Sequence, residues 1–325
     1  MFKITLKTIN AFTLILLGMV TIIYTGCNSG RPGRGKKQLI SFRAFNGINY
    51  SEVARRQKNG LSFNEYGYQL EPQWKLKFVS DDSVSIFSPT KNNFINFPLT
   101  RGYDSVFNAA RSWLKIKKMT KDSIVMEILQ AKGDIIDISG SKVYMLFYAD
   151  NYVENVLHTD TATLRHPSRK DTLFIKSLAA KANNNITKAF AARQSVQLIS
   201  KSPLVTVKQR LTKPDIMNNF DASDDYLDPT FDITINKAYQ DFYYSFSVYV
   251  DDKGQMHYQM PLIGFMSDKD AKQSYINTSQ SIMNSYLKYY LQIIPGSTLG
   301  FTHASTISLH VQGNVAAPAA TQNKK

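Results

Sequence analysis

Short apolar runs broken by turn signals fill the chain from about Phe63 to Tyr148. Trp74-Lys75-Leu76-Lys77-Phe78-Val79 alternates and meets Ser80-Asp81-Asp82, and the run at 84–87 stops at Ser88-Pro89. Further runs at 113–116 and 124–129 are separated by Thr120-Lys121-Asp122-Ser123, and 143–148 closes the series. Alternation sends successive side chains to opposite faces of a strand, so this stretch predicts an antiparallel β-rich domain, either a sandwich or a partial barrel. Residues 177–199 change period. Leu178, Ala182, Ile186, Ala189, Phe190 and Val196 recur at helical spacing and predict a trailing amphipathic helix packed on its neighbour domain.

Residues 201–229 are polar and irregular and read as a linker. Beyond them, 242–250 and 256–265 alternate on either side of Asp251-Asp252-Lys253-Gly254, a β-hairpin with a glycine turn. Ser267-Asp268 opens a helix with Asp270 in its first turn and apolar positions at Ala271, Tyr275, Ile276, Ile282, Met283 and Tyr286. Pro295-Gly296 ends that helix, 305–311 reads as a last strand, and a short helix is expected at 233–239. The expected fold class is therefore α+β: a β-rich domain over 41–200, then a small α-β-β-α-β domain over 230–313. Residues 314–325, rich in Ala, Pro, Gln, Asn and Lys, read as a disordered tail.

The first 26 residues follow a different logic. Lys3 and Lys7 precede an apolar run at 11–24, too short to span a bilayer comfortably but suited to the core of a signal peptide. The run ends on Thr25-Gly26-Cys27, and Cys27 is the only cysteine of the 325 residues. An exported chain with one cysteine cannot close an internal disulfide, so its thiol needs another use. Thr25-Gly26-Cys27 resembles the last three positions of the lipobox of bacterial lipoproteins, with Tyr24 standing where that family prefers Leu. The resemblance implies cleavage before Cys27, acylation of that cysteine (palmitate being an expected chain), and export to the cell envelope on a lipid anchor, with the outer membrane the expected site.

Charge supports the same address. The chain carries a formal +14, about +12 without the first 26 residues, and the bases are spread throughout apart from Arg31, Arg34, Lys36, Lys37 and Arg43. That run has no acid before Glu52 and falls in and beside a tether at 27–40, where attraction to anionic headgroups or plain solvation explains it. No nucleic-acid partner is expected. Eighteen Tyr and nineteen Phe reinforce the lean toward strands.

Two further resemblances concern fold. The tryptophan strand, Asp-Ser turn and aliphatic strand look like lipocalin-like domains of secreted bacterial proteins. The C-terminal element order, with 248–254 running into an Asp-Gly turn and Pro295-Gly296 and Gly300 before the last strand, resembles the C-terminal domain of TonB-type energy transducers. That family implies contact with an outer-membrane protein by strand addition at a sheet edge. The family's Tyr-Pro opening, membrane helix and Pro-rich spacer are missing here, so fold and edge pairing are what the resemblance carries.

Candidate chemistry is sparse. His158, His166, His257, His303 and His310 form no paired metal-ligand spacing, and His303 and His310 are expected to flank a strand in part exposure. No nucleophile elbow, Walker loop or dinucleotide fingerprint occurs, so no catalytic residue and no cofactor is expected. Asp221, Asp224, Asp225 and Asp228 form the densest carboxylate cluster, a weak Ca²⁺ candidate that lacks the spacing of an EF-hand loop and reads first as a solvated acidic loop. Tyr243, Tyr244, Tyr249 and Tyr258 could line a sugar or peptide face or simply pack across strands. The sequence thus points to a lipid-anchored envelope protein that binds another protein. The alternatives are an envelope hydrolase or carbohydrate-binding accessory, and a barrel that encloses a small apolar ligand.

Overall fold

A computed structural model describes residues 39–89, 91–132, 135–137, 143–212 and 223–315. The expected signal segment, Cys27, most of the expected tether, Asp221 and the expected tail from 316 lie outside the described residues.

The N-terminal unit is a barrel. Its strands are β1 (Asn49–Gln57), β2 (Lys75–Ser80), β3 (Ser83–Ser88), β4 (Asn93–Arg101), β5 (Val106–Ala109), β6 (Ser112–Met119), β7 (Ser123–Lys132), β8 (Ile135–Asp137) and β9 (Val143–Ala149). Strands β1 to β7 form an antiparallel meander in which each strand pairs with the next, except that β1 turns back to β9, and β9 to β7. The pairing of β6 with β7, from Trp113↔Leu129 to Met119↔Ile124, closes the ring at eight strands, with β8 an extension of β7. Closure removes the exposed edges that an open sheet would present.

Alternation places Leu76, Phe78, Val84, Ile86, Leu114 and Met126 inside. Eight strands leave an interior that side chains can fill. Here Phe42, Phe78, Phe107 and Phe147 fill it at 1% exposure or less. An apolar ligand would have to displace these rings, which counts against the enclosed-ligand alternative. Burial, with the Asp122 charge adding, pushes the Tyr50 hydroxyl up to about 12. It stays protonated and donates to the Thr120 carbonyl at 3.0 Å, tying β1 to the β6–β7 turn.

Three helices follow: α1 (Asp150–Asn155), α2 (Thr161–Leu164) and α3 (Arg169–Asn184). The helix expected at 177–199 therefore starts earlier and stops earlier. Its start is a capping box in which Ser168 and Asp171 satisfy each other's backbone amides. Its end falls at an Asn run, whose side chains compete for backbone hydrogen bonds. Asn185 accepts from the Thr187 amide at 3.1 Å and turns the chain out of the helix.

The chain then runs extended into β10 (Gln197–Ser200) and β11 (Val205–Arg210), so the stretch expected as a linker contributes a strand. After α4 (Asp224–Leu227) come β12 (Thr230–Asn236), β13 (Phe242–Val250), β14 (Met256–Pro261) and α5 (Lys269–Ile282). The helix continues through a π-turn to Tyr290, and β15 (Leu291–Ile294), β16 (Ser297–Thr298), β17 (Phe301–Thr302) and β18 (Ser305–Asn314) complete the fold. The short helix expected at 233–239 is instead β12. Thr230-Phe231-Asp232-Ile233-Thr234-Ile235 alternates, and its β-branched residues fit a pleated surface. The helix after Asp268 gives way to β15 before Pro295.

The C-terminal sheet has the order β11-β12-β18-β13-β14, all antiparallel except β12 with β18. Phe231, Ile233, Phe246, Val248, Leu309 and Val311 point to one face, where Ile282, Met283 and Leu287 from the helix cover them. A third cluster joins the two units: Phe63 from the β1–β2 loop, Ile175, Ala179 and Ala182 of α3, Phe190 and Ala304. Close backbone approach completes this seam. Gly67 has φ +87, and a Cβ there would meet the Ala191 carbonyl oxygen at 2.3 Å.

His303 lies in the seam and is fully buried, contrary to the part exposure expected of it. Its ring stacks on Phe190 at 3.6 Å. Its two nitrogens meet Thr298 Oγ1 and the Ala304 carbonyl, each at 3.0 Å, which fits a neutral ring donating through Nδ1. Desolvation lowers its pKa to about 4. The unfolded chain, with an ordinary histidine near 6.5, binds a proton between pH 6.5 and 4 that the folded chain refuses. Stability is therefore complete above about pH 6.5 and falls as pH drops toward 4, by up to about 3 kcal/mol from this residue. His303→Gln, which does not titrate, should flatten the slope of unfolding free energy against pH in that window; an unchanged slope would refute the assignment.

Candidate functional site

A five-stranded sheet has two edges, and this sheet treats them differently. β11 carries Lys208 and Arg210, both exposed, and Arg210 forms a bidentate pair with Asp232 at 2.8 and 2.6 Å. Charged side chains on an edge strand discourage pairing with another chain. β14 reads Met256-His257-Tyr258-Gln259-Met260-Pro261 and contains no Lys, Arg, Asp or Glu. It pairs with β13 on one side and, among the described residues, with no strand on the other.

The loop after β14 extends this apolar character. The strand expected to run to 265 ends at Pro261, which has no amide hydrogen to continue the ladder. Leu262 makes one more contact, its amide donating to the Ser245 carbonyl at 2.9 Å, and the chain then leaves the sheet. Met260 is 50% exposed, Ile263 44% and Met266 103%, in a run whose polar content is nil from Met260 to Met266. Met266 and Ser267 both hold positive φ, 39° and 75°, and the Asp268 amide donates to the Phe265 carbonyl at 2.8 Å, the pattern of a type I′ β-turn. Asp268 then caps α5 by accepting from the Ala271 amide at 2.8 Å. A hollow of about 550 Å³ lies here, lined by Met260, Ile263, Phe265, Lys269 and Lys272.

The opposite face of the same sheet holds the polar candidates. Register sets Asp232, His310 and Ser245 side by side on β12, β18 and β13. Ser245 Oγ lies 2.7 Å from His310 Nδ1, and His310 lines a cavity of about 380 Å³ with Arg210, Asp224, Asp225 and Asp228. Burial and the Arg210 charge lower the His310 pKa. This is the nearest approach to a hydrolytic triad, and two facts weigh against it. Asp232 spends both oxygens on Arg210, and Ser245 is only 4% exposed and does not reach the cavity wall.

The aspartate cluster is divided. Asp225 Oδ1 accepts from the Thr212 amide at 2.6 Å and Asp228 Oδ1 from Ser308 Oγ at 3.0 Å, while Asp224 opens α4. Among the described residues no group of three or more His, Cys, Asp or Glu side chains is placed to hold a metal ion. The tyrosines do not share a face. Tyr244 and Tyr258 pack on the hydrophobic core, whereas Tyr243 is exposed and Tyr249 accepts from Gln259. The sequence carried edge pairing beside the hairpin as an expectation but did not single out β14 or its loop. The run of apolar residues around Gly264 was its one visible sign.

No protein-family model and no curated relative matches the chain. Among solved structures it is similar to the bovine lipocalin allergen Bos d 2, at 11% identity and a TM-score of 0.22, over 44% of this chain and 87% of that one. The closed barrel stands on its own strand pairing.

Proposed function

We propose that this chain is a lipid-anchored envelope protein, acylated at Cys27, whose C-terminal unit binds another protein by taking an extended segment of it onto β14. The observation that carries this reading is the unguarded edge: an uncharged outer strand continuous with exposed Met260, Leu262, Ile263 and Met266. An added strand satisfies the backbone groups along that edge, and its alternate side chains find apolar surface beside the loop. Single exposed apolar residues are ordinary, but a contiguous set beside an open edge marks an interaction site.

The test is affinity capture with the full chain from solubilised membranes. Wild type should retain a partner that Met260→Lys loses at least tenfold, equivalent to about 1.4 kcal/mol, while Lys208→Ala on the guarded edge keeps it. Binding should also protect β14 amides from hydrogen exchange. Equal recovery by the Met260 variant would refute the edge. Cys27→Ala should leave the chain unprocessed and unacylated; normal processing and acylation would refute the anchor.

A further inference from the structure

The largest of these cavities lies in neither unit but between them. It measures about 580 Å³, within the roughly 300–1,000 Å³ range of small-molecule sites. Arg55, Tyr68, Gln69, Glu71 and Gln73 form the barrel wall. Arg193, Gln197, Gln209, Asp225 and Tyr226 form the facing wall.

The lining selects a ligand class by elimination and by fit. Among the described residues around the cavity, Val196 is the sole aliphatic one, and it is buried, so an acyl chain has nothing to lie against. Two arginines face two carboxylates, which leaves the lining without net charge. Both guanidinium groups are also already engaged. Glu52, itself wholly buried, holds Arg55 through two bonds of 2.8 Å. Arg193 pairs with Glu71 across the cavity, donates from Nε to the Gln69 side-chain oxygen at 3.1 Å, and lies 4.7 Å over the Tyr226 ring. A phosphate or carboxylate ligand would have to break such pairs, and a neutral one would not.

The amide groups are engaged more lightly: Gln69 accepts from Arg193, Gln73 Nε2 donates to Glu71 Oε2 at 3.3 Å and Gln209 Nε2 donates to the Asp225 carbonyl at 3.4 Å, each bond using one of an amide's several donor and acceptor positions. Four glutamines, Gln69, Gln73, Gln197 and Gln209, converge on the cavity, and each amide both donates and accepts. Sugar hydroxyls likewise both donate and accept, and the planar ends of Gln, Arg and Glu can span two neighbouring hydroxyls. Tyr68 and Tyr226 belong to the same walls, the Tyr226 hydroxyl accepting from the Gln69 backbone amide at 3.1 Å and so tying the two walls together. We propose that the cavity between the barrel and the C-terminal unit binds a neutral oligosaccharide, gripped from both walls at once. This site is separate from β14, so the chain would hold a glycan and a partner protein independently.

The experiment is calorimetric titration of the full chain, in a detergent without a sugar headgroup, with neutral tri- and tetrasaccharides of hexose and N-acetylhexosamine. Inorganic phosphate and a uronate trisaccharide serve as charged comparisons. Gln73 and Gln197 are exposed and lie on opposite walls, so Gln73→Ala and Gln197→Ala should leave the fold intact. Each should weaken binding about tenfold, while Met260→Lys leaves it unchanged. No saturable binding of any neutral sugar, tighter binding of the charged probes, or affinity indifferent to both glutamine variants would overturn the proposal. Loss of glycan binding with partner capture intact, or the reverse, separates this site from the edge.

Discussion

Asp171→Ala should cost about 3–5 kcal/mol of stability, the range for removing one partner of a buried ion pair. Asp171 is wholly buried at the first turn of α3, and its carboxylate carries four separate contacts. Oδ2 accepts from the Ser168 hydroxyl at 2.6 Å, the Ser168 amide at 3.0 Å and Arg56 Nη1 at 3.2 Å. Oδ1 accepts from the Ser62 amide at 2.7 Å. One side chain thus caps a helix, neutralises a cation on β1 and fixes the loop that carries Phe63 into the seam. Capping alone accounts for about 1 kcal/mol. The larger part comes from leaving two amides without their acceptor and Arg56 without its counter-charge, with the Gly60 carbonyl at 3.2 Å still accepting from Nη1. Denaturant titration at neutral pH measures the total, and hydrogen exchange should show α3 and the Phe63 loop opening before the barrel. A loss under about 1 kcal/mol would mean that water or a neighbour replaces the carboxylate, and this account of the seam would fail.

The contrast between what the sequence disclosed and what it hid follows from the range of each interaction. The β2–β3 hairpin and the β13–β14 hairpin were legible because alternation and turn chemistry act within a dozen residues. β11 was hidden in a polar stretch because an edge strand keeps Thr206, Lys208 and Arg210 exposed, so only Val205 and Val207 signal a core face. α3 was misplaced because Ile186, Ala189, Phe190 and Val196 kept an apolar rhythm past residue 184, whereas the capping box that sets its start lies at Ser168 and Asp171. Barrel closure depends on β6 meeting β7 while β9 returns to β1, a pairing that no local pattern states.

The same reasoning explains the candidate site. β14 is an edge because β18, last in sequence, pairs with β13 on the side away from β14 and not with β14 itself. An alternating strand looks the same in sequence whether or not a neighbour covers it. The charge difference between β11 and β14 was on view from the start, yet it acquires meaning only when both strands prove to be edges. Cavities between units are hidden for a similar reason: Gln73 and Gln197 are far apart in the chain, and only the seam brings them to facing walls.

Phe42→Ala should also lose about 3–5 kcal/mol, the usual range for truncating a buried aromatic ring, at a position next to the proposed tether. The basic run that begins after Cys27 does not end as free tether: its last member, Arg43, pairs with Asp81 at 3.1 Å. Just before it, Phe42 enters the barrel end, stacked on Phe78 at 4.3 Å and edge-on to Phe107 at 5.3 Å. Asp81 fastens this plug. Its Oδ1 accepts from the Phe42 amide at 2.7 Å and the Ser41 hydroxyl at 3.0 Å, and Arg101 stands 3.2 Å from Oδ2. The Phe42 amide foremost, with the Ser41 bond and the two arginines, lowers the Asp81 pKa. The fastening therefore holds above the ordinary carboxyl range and loosens as pH falls through the lowered value. Removing the Phe42 ring should leave an apolar void that wild type lacks, so Phe42→Ala should take up a small apolar probe such as benzene while the intact barrel does not. Combining it with Phe78→Ala should cost less than the sum of the two, by about 0.5–1.5 kcal/mol for the ring pair. Strict additivity, or probe binding by wild type, would show that the barrel is not sealed by this residue. If it is, the segment next to the proposed lipid anchor is also the stopper of the N-terminal domain, and load on a tether there would fall directly on the barrel's core.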